Sequence, residues 1–230
     1  MPRSLVRTLL PALAFLLAAG AAQAQRPEDY DYENLVLSGI GADLYQLFPE
    51  NMASALALRV HADLGLLGPN VRIVPSFTYW SSELSEGEVA RMEERIEDAC
   101  ERGGVACPGI ELGEIDVSDL AFEVDAHYLW TTDYGVEPYA GVGLGVHLLN
   151  GRGEFIDDTF VEELLDAITP AAIAVAGLEL PLGPSFRLQT EARGVLGSNV
   201  RYLALGVGAT LSFPSGGARP AAAPAPGGRR

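Results

Sequence analysis

Two of the three histidines in this chain stand two residues from a carboxylate: His61 precedes Asp63, and His127 follows Asp125. In extended backbone, residues i and i+2 share a face. Arg59, His61 and Asp63 therefore line up, as do Asp119, Glu123, Asp125 and His127. Arg187, Gln189, Glu191 and Arg193 repeat the spacing further on. A carboxylate beside an imidazole can orient a general base. Matching the segments around His127 and His147 across their turn brings His147 level with Leu120, beside Asp119. His147 with Asp119 is thus the candidate for acid–base chemistry. The competing reading is structural, because charge removed from water must be paired, and Arg, His and carboxylate alternating on one face form an ion-pair network. That reading is preferred, and no catalytic residue is assigned.

Such a face needs strands to carry it. Eight segments alternate large apolar residues with polar or small ones: 35–47, 54–67, 71–81, 115–131, 136–149, 172–182, 186–196 and 200–213. Each reaches the roughly 9–11 residues of a tilted strand that crosses a bilayer. Tight turns at 68–70, 132–135 and 183–185 alternate with longer connections at 48–53, 82–114 and 150–171. Only 197–199 is short on the long side. Leu56, Leu58, Val60, Ala62, Leu64 and Leu66 lie opposite Arg59, His61 and Asp63. Leu120, Phe122, Val124, Ala126, Tyr128 and Trp130 lie opposite the second acidic face. Val142, Leu144, Val146 and Leu148 oppose Gly141, Gly143, Gly145 and His147.

Alternation alone leaves open which face is inside. Glycines cluster on the polar face, where a narrow barrel has room only for small residues. Tyr128, Trp130, Phe186 and Phe213 fall near the short-turn ends on the other face, as an interfacial aromatic girdle would. The expected fold is all-β: an eight-stranded antiparallel up-and-down transmembrane barrel, apolar outside, with two short helices in its long loops. Its lumen would hold Arg59, His61, Asp63, Arg72, Asp119, Glu123, Asp125, His127, Glu137, His147, Glu179, Arg187, Glu191 and Arg193, together with Asp43. Acid exceeds base in that set, so either some carboxylates sit at wet rims, or a few are protonated, or a cation enters; a packed, non-conducting lumen is the preferred reading, because side chains fill an eight-stranded barrel. Pro75, Pro138 and Pro181 fall mid-strand, where bulges would accommodate them.

The closing segment ends Gly208, Leu211, Phe213 and is followed by a Pro/Ala/Gly run. It resembles the terminal assembly strand of outer-membrane β-barrel domains of the eight-stranded OmpA/OmpX type. Tyr139-Ala-Gly-Val-Gly-Leu-Gly-Val-His147 resembles their glycine-alternating strands. Gly206 departs from the polar residue usual two positions before that terminal glycine. The resemblance covers residues 34–213. It implies the outer membrane of a Gram-negative cell, insertion by the outer-membrane assembly machinery, and contact with lipid and lipopolysaccharide. Such domains host many functions, including lipid-modifying enzymes. No serine lies two residues from any histidine, so the His-x-Ser arrangement of a lipid A deacylase-like barrel is missing.

The remaining features bound the reading. Arg3 and Arg7, an apolar run at 9–20 and Ala22-Gln23-Ala24 read as a cleaved export signal over 1–24. A periplasmic segment at 25–33 would precede the barrel at 34–213, and 214–230 would be a disordered periplasmic tail. Removing Arg3 and Arg7 takes the formal net charge from -16 to -18, which speaks against nucleic acid as a partner. Cys100 and Cys107 are read as one disulfide clipping a loop of an exported protein. No cofactor or metal is assigned, since neither the cysteine spacing nor the acidic runs match a metal motif. Val89, Met92, Ile96 and Ala99 predict a helix at 86–102, and Val161, Leu164, Leu165 and Ile168 a second at 158–168. The expected role is a monomeric structural or surface-interaction barrel. The alternatives are an outer-membrane enzyme using His147 and Asp119, or a narrow cation-preferring pore.

Overall fold

The computed structural model describes residues 30–104, 109, 111–153 and 167–213. The expected export signal, the second loop helix up to residue 166, Cys107 and the tail lie outside the described residues.

Eight antiparallel strands close into a barrel. In chain order they are β1 (Gly39–Pro49), β2 (Ala55–Asp63, continuing after a kink as Leu66–Gly68), β3 (Val71–Glu83), β4 (Asp116–Leu129), β5 (Glu137–Arg152), β6 (Ala167–Pro181), β7 (Phe186–Gly197) and β8 (Arg201–Ser212). Each pairs with its sequence neighbours, and β1 pairs with β8 from Gly39↔Ser212 to Pro49↔Tyr202. Full closure leaves no open sheet edge.

The barrel is inverted relative to a soluble one. Leu44, Leu58, Val142, Leu144, Leu203 and Leu205 are all more than half exposed on the outside, while Arg59, Asp119, Glu123, Asp125 and His147 are at most 1% exposed inside. Apolar side chains turned outward have no water-based rationale over so wide a belt, whereas a lipid surround supplies one.

Glycines of the inner face make room for neighbouring side chains. A Cβ at Gly206 would collide with the ring of Tyr45, at Gly208 and Gly143 with the carboxylates of Asp43 and Asp125, and at Gly177 with the ring of Tyr139. Each of these four groups thus lies across a glycine of the adjacent strand.

Three details depart from the sequence reading. First, β2 carries a bulge at Leu64–Gly65: Leu64 donates to the Ile73 carbonyl while Ile73 donates to that of Gly65, which has φ +75°. The β2–β3 ladder breaks off at His61↔Ser76, next to Pro75, and resumes at Leu66↔Arg72. A proline has no N–H to give, so the bulge sits where the ladder is already weak. Second, Pro138 and Pro181 are not mid-strand; they occupy the second and last positions of β5 and β6. Third, β5 and β6 run beyond their expected ends. Ala167 to Thr169, read as loop and helix end, pair with Leu149 to His147.

At the long-loop end one helix, α1 (Glu86–Gly103), is present as expected, closed by Gly104 in the left-handed region (φ +71°). Val89, Met92 and Ile96 pack on Leu84, Leu112 and Ile115, and the Leu112 N–H donates to Glu93 Oε1 at 2.8 Å. At the other end the N-terminal segment laces onto β2: Asp31, Val36 and Ser38 donate to the carbonyls of Leu67, Leu64 and Asp63.

Candidate functional site

The chemistry-bearing residues are gathered into the lumen in three layers. Their positions follow from strand parity, since every second residue points inward.

The layer nearest the short turns holds Arg72 of β3, Glu179 of β6, and Asp63 and Arg187 of β2 and β7. Arg72 grips Glu179 with both terminal nitrogens, and its Nη1 lies 3.6 Å from Asp63. Arg187 donates to Asp63 and lies 3.5 Å from Glu179 Oε2. Bidentate guanidinium–carboxylate pairing suits a site that water barely enters. Glu137 stands half-buried at the start of β5, opposite Glu179 in register, and is a rim residue.

The middle layer spans the barrel. Arg193 donates to Glu123 Oε2 at 3.2 Å, to Asp125 Oδ2 at 2.5 Å and, through Nε, to Glu191 Oε1 at 3.1 Å. Arg59 joins Asp125 Oδ2 at 3.0 Å to Asp43 Oδ2 at 3.2 Å. Glu191 also accepts from the hydroxyls of Tyr45 (2.7 Å) and Tyr139 (2.8 Å). Thr78 donates to Glu123 at 3.0 Å. His127 stacks on Tyr139, with ring centroids 4.9 Å apart, and its Nε2 is 3.7 Å from Asp125. Next to this layer a small polar cavity is lined by Arg59, His61, Arg72, His127 and Glu179, among others.

The layer nearest the long loops brings together the expected pair. His147 Nδ1 lies 2.7 Å from Asp119 Oδ2, which also accepts from Trp80 Nε1 at 3.0 Å. The register is one residue off the expected one, with His147 opposite Ala121, yet the diagonal contact is made. Both partners are fully buried, and His147 Nε2 has no hydrogen-bond partner. Leu47, Ala57, Val117, Leu149, Val195 and Val200 pack with Trp80 and Tyr202 into an apolar seal at this level. The dyad has an oriented imidazole and, among the described residues, neither a hydroxyl bonded to it nor an open approach.

The sequence reading missed aromatic and hydroxyl members of the lumen: Tyr45, Trp80, Tyr139, Ser76 and Thr78. Their parity was readable, because each stands at an even spacing from a lumen charge on its strand. The girdle residues lie at the short-turn end. Tyr128 and Trp130 meet edge to face at 5.0 Å, Phe186 is 39% exposed, and Phe213 donates its N–H to the Ser38 carbonyl. Among the described residues no cluster of His, Cys, Asp and Glu could hold a metal ion.

A closed eight-stranded antiparallel barrel with an apolar exterior and an ion-paired interior is the architecture of the outer-membrane β-barrels. No protein-family model and no curated protein matches the chain. Among solved structures it is similar to the Neisserial surface protein A, at 14% identity and a TM-score of 0.53, over 76% of this chain and 96% of that one. It also matches the attachment invasion locus protein of Yersinia pestis (12% identity, TM-score 0.46, 76% and 95% covered). The N-terminal β-barrel domain of Pseudomonas aeruginosa OprF matches at 14% identity and a TM-score of 0.41, over 76% and 98%. The first of these carries the assignment of fold; identities this low say nothing of role.

Proposed function

We propose that the chain is an outer-membrane barrel with a structural or surface-interaction role, and that its lumen is a load of paired charge rather than a conduit. The observation that supports this reading is the cross-barrel bracing by Arg59 and Arg193, which link carboxylates of β1, β4 and β7. Side chains filling an eight-stranded barrel leave no aqueous path. The exposed, acid-rich α1 at the long-loop end is the surface offered to the outside, beside lipopolysaccharide headgroups. The Neisserial neighbour is by its name a surface protein, which agrees with such a placement. Export by cleavage after residue 24, insertion by the assembly machinery and a monomeric state complete the reading. So does a Cys100–Cys107 clip starting from the last turn of the helix, with no free cysteine among the described residues.

The test is folding into detergent or lipid vesicles. Heat-modifiable gel mobility and the absence of conductance in planar bilayers at high protein density are the expected results. A mature chain that stays monomeric in buffer without detergent would overturn the membrane assignment, and stepwise conductance would overturn the filled lumen.

A further inference from the structure

The seam where the barrel closes, between β1 and β8, is crossed by a ring of four side chains from four strands. Asp43 of β1 lies beside His61 of β2, with Nδ1 2.9 Å from Oδ2. His61 Nε2 is 3.0 Å from Thr210 Oγ1 of β8. Thr210 Oγ1 is 3.3 Å from Gln189 Oε1 of β7, and Gln189 Nε2 returns to Asp43 Oδ1. All four residues are at least nine-tenths buried.

Donor and acceptor arithmetic fixes the protons in this ring. Arg59 Nη1 donates to Asp43 Oδ2, the same oxygen that His61 Nδ1 faces, and a carboxylate gripped by a guanidinium serves as an acceptor only, so His61 Nδ1 donates to it. Gln189 must turn its amide nitrogen to Asp43, because its oxygen there would meet another acceptor. Its oxygen then faces Thr210, and two oxygens can bond only if the threonine hydroxyl donates. With that proton spent, Thr210 can only accept from His61 Nε2. His61 must therefore carry protons on both nitrogens for all four bonds to form.

We infer that His61 is a built proton-binding site: an imidazolium held at the closing seam by Asp43, Thr210 and Gln189. When it loses the proton, Nε2 becomes an acceptor and takes the threonine hydroxyl, and Gln189 Oε1 is left buried and unbonded. The groups facing the site from the packed elements are Asp43 on β1, Arg59 and Asp63 on β2, Arg72 on β3, His127 on β4, Tyr139 on β5, Glu179 on β6, and Arg187 and Glu191 on β7. Arg187 at the short-turn rim is 18% exposed, so protons reach this layer from that side.

The experiment is nitrogen-detected NMR of the full chain, ¹⁵N-labelled at histidine, in detergent micelles at pH 7. The His61 resonances are assigned by their loss in His61→Gln or, if that variant does not fold, by elimination with His127→Gln and His147→Gln. Both ring nitrogens of His61 are expected to show the protonated signature. Thr210→Val, which deletes the acceptor, should shift His61 to the singly protonated form at the same pH. A single protonated nitrogen in the wild-type chain would overturn the inference. Full protonation unchanged in Thr210→Val would do so as well, because Asp43 alone would then hold the proton.

Discussion

Arg193 is the group whose loss the fold should tolerate least. Its side chain is 2% exposed and donates to Glu123, Asp125 and Glu191 at once. Replacing it by methionine fills much the same space and removes the charge. Removing one partner of a buried ion pair costs about 3–5 kcal/mol, because the other charge stays buried without compensation. Three carboxylates are stranded here, which argues for more. Each retains a second partner, which argues for less: Asp125 keeps Arg59, Glu123 keeps Thr78, and Glu191 keeps Tyr45 and Tyr139. Only Arg59 then remains as a guanidinium for the middle layer, so the loss should stay near 3–5 kcal/mol. With a urea dependence of roughly 1–3 kcal/mol per molar, the midpoint falls by about 1–5 M. The assay is reversible urea unfolding in lipid vesicles, followed by the fluorescence of Trp80 and Trp130. Adding Glu123→Gln and Glu191→Gln to Arg193→Met should restore at least half of the loss, since those changes remove the stranded charge. A single variant within about 0.5 kcal/mol of wild type would refute the bracing of the lumen by this residue.

Three further outcomes test separate parts of the structure. Leu144→Arg, in the middle of β5 and 73% exposed, should destabilise by about 2–4 kcal/mol in vesicles, whereas Ile168→Arg near the long-loop end should cost about 0–1 kcal/mol. Equal, near-zero effects would point to water rather than lipid around the belt. Gly206→Ala must displace the Tyr45 ring and should cost about 1–3 kcal/mol by overpacking. Gly194→Ala meets only Leu203 at 3.5 Å on the outer face and should stay within about 0.5 kcal/mol of wild type, so unfolding midpoints of the two variants report which face is packed. Trp80→Phe removes the indole donor to Asp119 and should lower stability by about 1–2 kcal/mol, read as thermal unfolding in detergent.

Strand parity was legible in the sequence because charge marks it. In β4 the inward Asp119, Glu123, Asp125 and His127 and the outward Leu120, Phe122 and Val124 leave one solution. Turn positions were legible from Gly, Pro and Asn, and Asn70 and Gly183 indeed take positive φ. The bulge at Leu64–Gly65 was not, since a Leu–Gly–Leu run reads equally as uninterrupted alternation. The strand ends of β5 and β6 were misjudged for a related reason. Ile168 fits a helical stripe with Val161, Leu164 and Leu165 as well as it fits the outer face of a strand, and only the partner Leu148 decides between them. Matching across a tight turn brought His147 to Asp119, but the other partners within the lumen depend on register between strands far apart in the chain, which a sequence read in order does not contain.

Register also accounts for the excess of acid. Leaving aside Glu137 at the rim, the described lumen holds seven carboxylates (Asp43, Asp63, Asp119, Glu123, Asp125, Glu179 and Glu191) against four guanidiniums (Arg59, Arg72, Arg187 and Arg193). The difference is three, and each of the three histidines faces one carboxylate: His61 faces Asp43, His127 faces Asp125 and His147 faces Asp119. The excess is therefore not a stretch of unmatched negative potential such as a cation path requires. It is divided among three separate carboxylate–imidazole contacts at three heights, at 2.9 Å for His61, 3.7 Å for His127 and 2.7 Å for His147. On the proposed reading, the same arrangement that suits the interior to a lipid surround would make it a poor channel.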